Sequence, residues 1–532
     1  MFHQILTPVG GLPLSFAIAA IPVLVVLVML GVLQRPAWQA SLGGLLAGLA
    51  IAVGVWQFPA GMAVNATAAG MVFAVWPVMW IVFAALLLYN IAVESGRFDA
   101  FRDWVFEHLP NDRRVVLIVI GFCFGALLEG ISGFGTPIAI TSSLLILTGW
   151  APIEALTYTL IFNTAPVAFG ALGVPITVLG KVTSLSPELL GSMVGRQLPF
   201  FALLLPFYVM FVFGGRRSLA ALWPLLLVAG GSFAGAQFLT SNFGNYQLTD
   251  VFSSLGSLIV TILFLRVWKP APDPAFAMVR KVSDMGAPRG FSVWQGWIPW
   301  IMVSVVVIVW THFNVPANFA QNIHWPGLDQ QVFITLYNKP YALIWGFQPL
   351  ASGTAILLAA IATALVLGVG PMSFLACVVR TARQVWLAVV TVALILGLAY
   401  LMNYSGMTYT LGAGAAALGP LFPLASAFLG WVAVMLTGSD TSGNALFGNL
   451  QVVAAHQLNL NPVLFAATNS SGGVMGKMIS PQNIATGVSV TDLKGQEGRV
   501  FARTFKHSVI MTALLGVIVL IEQYLIPGII PR

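Results

Sequence analysis

With 532 residues, 58% of them hydrophobic, 7% charged and a mean hydropathy of +0.93, the chain has too little polar surface to cover a soluble globule, which leaves a polytopic membrane protein. A net charge of +7 would suit nucleic acid, but the positives sit in short loops between apolar runs. There a Lys and Arg surplus is a topology signal, and no nucleic-acid partner is expected.

Apolar runs long enough to span fall at 14–33, 38–57, 71–93, 219–239, 251–268, 296–312, 349–370, 385–402, 421–438 and 508–528. No Lys or Arg precedes Arg35, so the first run lacks the basic region of a cleaved signal and is expected to stay as a span. Basic residues cluster at Arg35, Arg97 to Arg114, Arg216–Arg217, Arg266 to Arg289, Arg380 and Arg383, and Lys494 to Lys506, while the connectors 241–250 and 313–347 hold only Lys339. The clusters are expected on the cytoplasmic side, and the poor connectors and both termini outside. The segment from Arg97 to His108 puts Phe98, Phe101, Trp104 and Val105 on one helical face, as in an interfacial helix. Two regions, 116–213 and 439–487, are apolar but repeatedly broken. Depending on how often they cross, the fold is an all-α polytopic membrane protein of about 12–14 transmembrane helices. One integral membrane domain, 1–532, is expected, with approximate halves 1–268 and 296–532 joined by a cytoplasmic loop, 269–295.

The first broken region opens with Gly121-Phe-Cys-Phe-Gly-Ala-Leu-Leu-Glu-Gly-Ile-Ser-Gly-Phe-Gly-Thr-Pro137, which sets Glu129 in the middle of an apolar run. An ionised Glu at bilayer depth costs at least about 2.5 kcal/mol, so it should face a cavity, a partner or a bound ion. Gly130, Gly133 and Gly135, followed by Pro137, free backbone N–H and C=O groups beyond the acid. Freed backbone in a membrane is tolerated where protein or a water-filled cavity satisfies it, and in secondary transporters such breaks mark the binding site. Cys123, in this stretch, and Cys377 read as small buried hydrophobes, with no metal spacing.

A second acid, Asp440, lies in Thr437-Gly-Ser-Asp-Thr-Ser-Gly-Asn-Ala-Leu-Phe-Gly448. Downstream of the acids come Asn163-Thr-Ala-Pro-Val-Ala-Phe-Gly-Ala-Leu-Gly-Val-Pro175 and Asn469-Ser-Ser-Gly-Gly-Val-Met-Gly-Lys-Met-Ile-Ser-Pro481, with equal Asn-to-Gly and Asn-to-Pro spacings. The run into Glu129 starts from a basic loop and the run into Asp440 from a poor one. Opposed approach is what two inverted repeats with broken or re-entrant helices predict, with the substrate between them.

Half-helix N-termini and freed N–H groups, including those at Gly133 and Gly135, suit a small anion. Thr136, Asn163, Thr164, Asn444, Asn469, Ser470 and Ser471 add neutral donors that avoid burying a further charge. Lys477 either pairs with a substrate carboxylate or Asp440, or snorkels to the membrane edge. Glu129 and Asp440 are the candidates for proton coupling or, alternatively, for ligating Na⁺. Glu154 reads as a helix-N-terminal acid, Arg196 as a boundary residue, and Asn403 to Gly406 either as cavity lining or as outer interface. The six histidines show no metal-ligand spacing, and neither a P-loop nor a His-Glu-x-x-His is present. The reading is therefore a transporter without cofactor, driven by an ion gradient, and not an enzyme.

Five stretches carry a family resemblance: Gly121 to Pro137, Phe162-Asn-Thr-Ala-Pro-Val-Ala-Phe-Gly-Ala171, Met193-Val-Gly-Arg-Gln-Leu-Pro199, Leu436-Thr-Gly-Ser-Asp-Thr-Ser-Gly-Asn-Ala-Leu-Phe447 and Gly472-Gly-Val-Met-Gly-Lys-Met-Ile-Ser-Pro481. In this order, over nearly the whole chain, they resemble the bacterial L-lactate permease family. The resemblance implies a multi-pass inner-membrane symporter taking up L-lactate, D-lactate and glycolate with protons. It also implies a place among carboxylate and ion carriers with inverted repeats and an elevator-like moving part, for which a homodimer could supply the static scaffold. Glu129, Gly133, Gly135, Asn163, Asp440, Asn469 and Lys477 stand in the motifs. Beside this reading stand a Na⁺-coupled carboxylate carrier and a non-transporting proton-channel subunit. The latter would need a longer chain of buried Lys, Glu and His than Glu129, Asp440 and Lys477 provide.

Overall fold

The computed structural model describes residues 1–33, 35–97, 109–131, 136–278, 293–313, 315–489, 491, 493 and 496–531. The expected interfacial helix, most of the loop 269–295, and Gly133 and Gly135 lie outside the described residues.

Apolar sequence without charges yields helix after helix, because in lipid a helix satisfies its own backbone. The first four are α1 (Leu12–Gly31), α2 (Ala37–Gly54), α3 (Ala60–Phe73) and α4 (Trp80–Glu94). The first broken region folds as α5 (Arg113–Ile131), α6 (Thr136–Leu147), α7 (Pro152–Phe162) and α8 (Gly170–Thr183). Then come α9 (Pro187–Phe243), α10 (Thr249–Val267), α11 (Val293–His312), α12 (Ser352–Val366), α13 (Pro371–Ser405) and α14 (Met407–Ala415). The second broken region gives α15 (Phe422–Thr437), α16 (Asp440–Gln457), α17 (Pro462–Lys477) and α18 (Pro481–Ser489), and α19 (Glu497–Tyr524) closes the chain.

Among the described residues, nine helices are long and apolar enough to cross a membrane, or ten if the bent pair α7–α8 counts as one span. Gly215, at φ 60°, folds α9 back on itself, so that Gly195 meets Ser241 and Gly230 meets Leu203. This single helix is thus two antiparallel arms. Exposed Leu46, Leu239, Leu263 and Leu365 face outward as a lipid-facing surface requires, whereas α5 is buried along its whole length.

The basic connectors gather at one end of the molecule. There Arg380 pairs with Glu94 at 3.0 Å, Arg217 with Asp273 at 3.0 Å, and Arg503 approaches Glu154 at 3.6 Å. The 313–347 loop forms the opposite end. There β1 (Phe2–His3), from the start of the chain, pairs parallel with β3 (Val332–Ile334), which pairs antiparallel with β4 (Lys339–Pro340), and β2 (Gln321–His324) pairs antiparallel with β5 (Ile344–Phe347). The C-terminal residues reach this end too, where Arg196 donates to Ile529 O and to Asn242 Oδ1.

Small residues let the helices of the second broken region pack closely. A Cβ at Gly430 would run into Asn469 O, and Cβ atoms at Gly472 and Gly476 would run into Ala427 O and Trp431 O. Such contacts, rather than hydrophobic exclusion, hold helices together in lipid. They bring α17 against α15 and so carry Asn469, Ser470 and Lys477 to the centre.

Candidate functional site

The two broken regions meet at a buried ion pair. Lys477, the last residue of α17, donates to Glu129 Oε1 at 2.6 Å, and Asn163, capping the C-terminus of α7, donates to Glu129 Oε2 at 3.0 Å. Both charged side chains are at most 6% exposed. At such depth an unpaired charge is costly, so the pair fixes α5 to α17. Lys477 therefore turns inward, and its partner is Glu129, not Asp440. Gly170 makes room for this carboxylate: a Cβ there would stand 3.1 Å from Oε1. Just beyond, Ala171, Leu172 and Gly173 all take left-handed φ of 45°, 58° and 73°. Strain of this kind at non-glycine residues persists only where the surroundings over-determine it, commonly at ligand sites.

Asp440 begins α16, where Ser439 caps the helix by accepting from Ser442 N. Its Oδ2 accepts from Ser470 Oγ at 2.5 Å and from Asn444 Nδ2 at 3.2 Å, while Oδ1 has no hydrogen-bond partner among the described residues. Asn469 donates to Asn444 Oδ1 at 2.9 Å and accepts from Gln451 at 2.8 Å. Asn444 also donates to Pro175 O at 3.2 Å, tying the second broken region to α8. Asn483 ties the break before α16 to the one after α17, donating to Gly438 O at 3.0 Å and Lys477 O at 3.4 Å.

Between these elements lies a cavity of ≈ 40 Å³ lined by Glu129, Gly170, Pro175, Asp440, Thr441 and Lys477, among others. That is room for a few waters. A second cavity of ≈ 880 Å³, bordered by Arg35, Trp38, Gln384 and Phe501, shares Ser439 and Gln482 with it and opens beside the basic end.

Of the residues singled out from sequence, Glu129, Asp440 and Lys477 line the small cavity. Asn163, Asn444, Asn469 and Ser470 form the hydrogen-bonded layer behind it. Ser471 is buried with a hydroxyl that has no partner among the described residues, and Thr164 spends its hydroxyl on Ile161 O at 2.7 Å. Thr136 starts α6. Glu154 lies in the first turn of α7, as expected of a helix-N-terminal acid. Asn403 is buried and accepts from Asn449 of α16 at 3.1 Å. The match between the two regions is partial: Asn163 bonds its acid directly, whereas Asn469 reaches Asp440 through Asn444. Glu129 also precedes its break, while Asp440 follows one.

Sequence reading missed Gln451 and Asp250. Gln451 is one of four amides on α16, with Asn444, Asn449 and Gln457, and an amide beside the apolar stretch 452–455 was a signal. Asp250, in the first turn of α10, was read as part of an outside connector; it is fully buried, and a Cβ on Gly130 would stand 2.9 Å from its Oδ2. The Ser253, Ser254 and Ser257 that follow it in the same helix are equally buried and mark a polar stripe turned inward.

Residues 15–526 match the family model described as L-lactate permease. A glycolate permease of Escherichia coli (strain K12) is 42% identical over 99% of this chain and 98% of its own. An L-lactate permease of the same organism is 38% identical over the full length of both, and one of Bacillus subtilis (strain 168) is 36% identical over 99% of both.

Proposed function

This chain belongs to the L-lactate permease family, a family of transporters and not of enzymes, and on that premise we propose that it takes up L-lactate, D-lactate and glycolate by proton symport across the bacterial inner membrane. The observation that carries the reading is the buried Lys477–Glu129 pair on the wall of a cavity between two broken membrane segments. A 2-hydroxymonocarboxylate needs a cation for its carboxylate and neutral donors or acceptors for its hydroxyl. Lys477 supplies the first, and Asp440 Oδ1, which has no partner among the described residues, supplies an acceptor for the second with the amide layer behind it. The breaks on either side, with Gly133, Gly135 and Thr136 beyond Glu129, contribute backbone donors.

Coupling follows from charge. A substrate anion that takes Lys477 leaves an acid without its counter-ion in a low-dielectric wall, and a proton on one of the acids keeps the charge of the site constant. Glu129 and Asp440, which line the cavity, are the acids the sequence nominates for this role. The larger cavity at the basic end is the route between the site and the cytoplasm, and the termini and the 313–347 loop face the periplasm. The two halves are related as inverted repeats, and one part of each repeat moves against the helices formed by the remainder. The Na⁺-coupled alternative gains no support from the relatives.

The test is uptake of radiolabelled L-lactate into proteoliposomes with an imposed inside-alkaline gradient and no Na⁺. Accumulation that competing glycolate suppresses supports the reading. Accumulation that requires Na⁺ and ignores the pH gradient refutes it.

A further inference from the structure

Three buried acids stand at this site, and they differ in what surrounds their oxygens. Glu129 receives Lys477 and Asn163, and Asp440 receives Ser470 and Asn444. Asp250 receives nothing: neither oxygen has a hydrogen-bond partner among the described residues, though the side chain is fully buried. A carboxylate in that position lacks any donor to replace the water it has lost, whereas a carboxylic acid is tolerated.

Its position is not incidental. Asp250 lies against Gly130, the residue that follows Glu129, and any side chain there would press on its carboxyl. The charged groups within its electrostatic reach are Glu129 from α5 and Lys477 from α17. The elements α8 and α9, also packed on α10, engage their titratable groups elsewhere. Lys181 donates to Ile344 O, Glu188 accepts from Ser186 and Arg196 donates to Asn242. Tyr246, in the turn before α10, shares its hydroxyl with Thr177.

We propose that Asp250 is the seat of the coupling proton. The inference rests on the symport reading above and deepens it by naming the acid. With Asp250 ionised, Lys477 answers to two carboxylates and is closed to a third anion. A proton taken from the outer water by Asp250 leaves Lys477 with Glu129 alone, and the substrate carboxylate then shares Lys477. On the inner side the proton returns to water, Asp250 again competes for Lys477, and the anion is released. Each cycle moves one proton and one anion, and no covalent bond of the substrate changes. The arrangement described, with Lys477 on Glu129 and Asp250 unpartnered, is the protonated state of this cycle.

The experiment compares the parent with Asp250→Asn in proteoliposomes, measuring lactate accumulation, proton flux and lactate counterflow across a range of pH. In one-to-one symport a gradient of about one pH unit sustains about tenfold accumulation. Asp250→Asn should fall to no accumulation while counterflow continues and loses its pH dependence. Gly130→Ala, which crowds the carboxyl without removing it, should move the pH midpoint of uptake by about one unit. Should Asp250→Asn fail to reach the membrane, the Gly130→Ala midpoint decides alone, and an unmoved midpoint overturns the proposal. Gradient-driven accumulation surviving in Asp250→Asn also overturns it but leaves symport standing. A parent that accumulates nothing under a pH gradient refutes symport itself.

Discussion

Removing either partner of the Lys477–Glu129 pair should destabilise the protein far more than removing both. At 2.6 Å the attraction is about 6 kcal/mol with an effective dielectric constant of ~20, a gain that desolvation of two nearly unexposed charges largely offsets. Lys477→Met leaves the Glu129 carboxylate with one neutral donor, Asn163, and should cost about 3–5 kcal/mol. Glu129→Gln strands the ammonium and should cost a similar amount. In the double variant no uncompensated charge remains, so its loss should be smaller than either single loss, giving a coupling energy larger than either single loss, above about 3 kcal/mol. Denaturant titration of the detergent-purified protein, followed by tryptophan fluorescence, measures all four corners of the cycle. If the double variant loses the sum of the two single losses, the charges do not depend on each other and the site as described is wrong.

Three further outcomes follow from neighbouring contacts. Gly472→Ala drives a methyl into Ala427 O at the α15–α17 crossing and should cost about 1–3 kcal/mol in the same titration, with Gly473 next to it equally intolerant because a Cβ there stands 2.5 Å from Asp440 Oδ1. Ser470→Ala removes the shortest donor to Asp440 and should cost about 1–3 kcal/mol and weaken lactate binding, read by calorimetry. In the outside loop, burial pushes the Asp329 carboxyl up, but hydrogen bonds from His324, at 2.7 Å, and from Leu343 N, at 2.7 Å, outweigh it and hold the group below its ordinary value. A carboxyl lowered by folding adds stability that is present above its unfolded pKa and lost as pH falls through the folded one. The β2–β5 pair should therefore loosen only below the ordinary Asp range, seen as faster hydrogen exchange at Leu343 N, and Asp329→Asn should remove that pH dependence.

The sequence showed its helices plainly where an apolar run had no competing feature, as in α1, α10 and α19, since composition alone dictates helix in lipid. It also showed the breaks, because glycine, proline and a carboxylate interrupt runs that need none of them. Pairing was less legible. Lys477 and Glu129 are far apart in the chain and meet only in the packed fold, in which Gly430, Gly472 and Gly476 bring α17 close to α15. Nothing local to Lys477 distinguishes Glu129 from Asp440 as its partner; the choice is made by Ser470 and Asn444, which already hold Asp440. Asp250 was hidden because an acid at the start of an apolar run reads as a solvated helix terminus, and only packing against α5 turns it inward. The single long helix α9 conceals a reversal whose cause, Gly215 at positive φ beside Arg216 and Arg217, is visible in sequence as a basic loop.

At the centre of the account is the claim that anion binding and proton binding are one event around Lys477. Calorimetric titration of L-lactate into the purified protein at mildly alkaline pH, repeated in buffers of different ionisation enthalpy, counts the protons taken up as the anion binds. The account predicts close to one proton per lactate, falling toward zero as pH is lowered and the acid is already loaded. Binding with no proton uptake at any pH would contradict it.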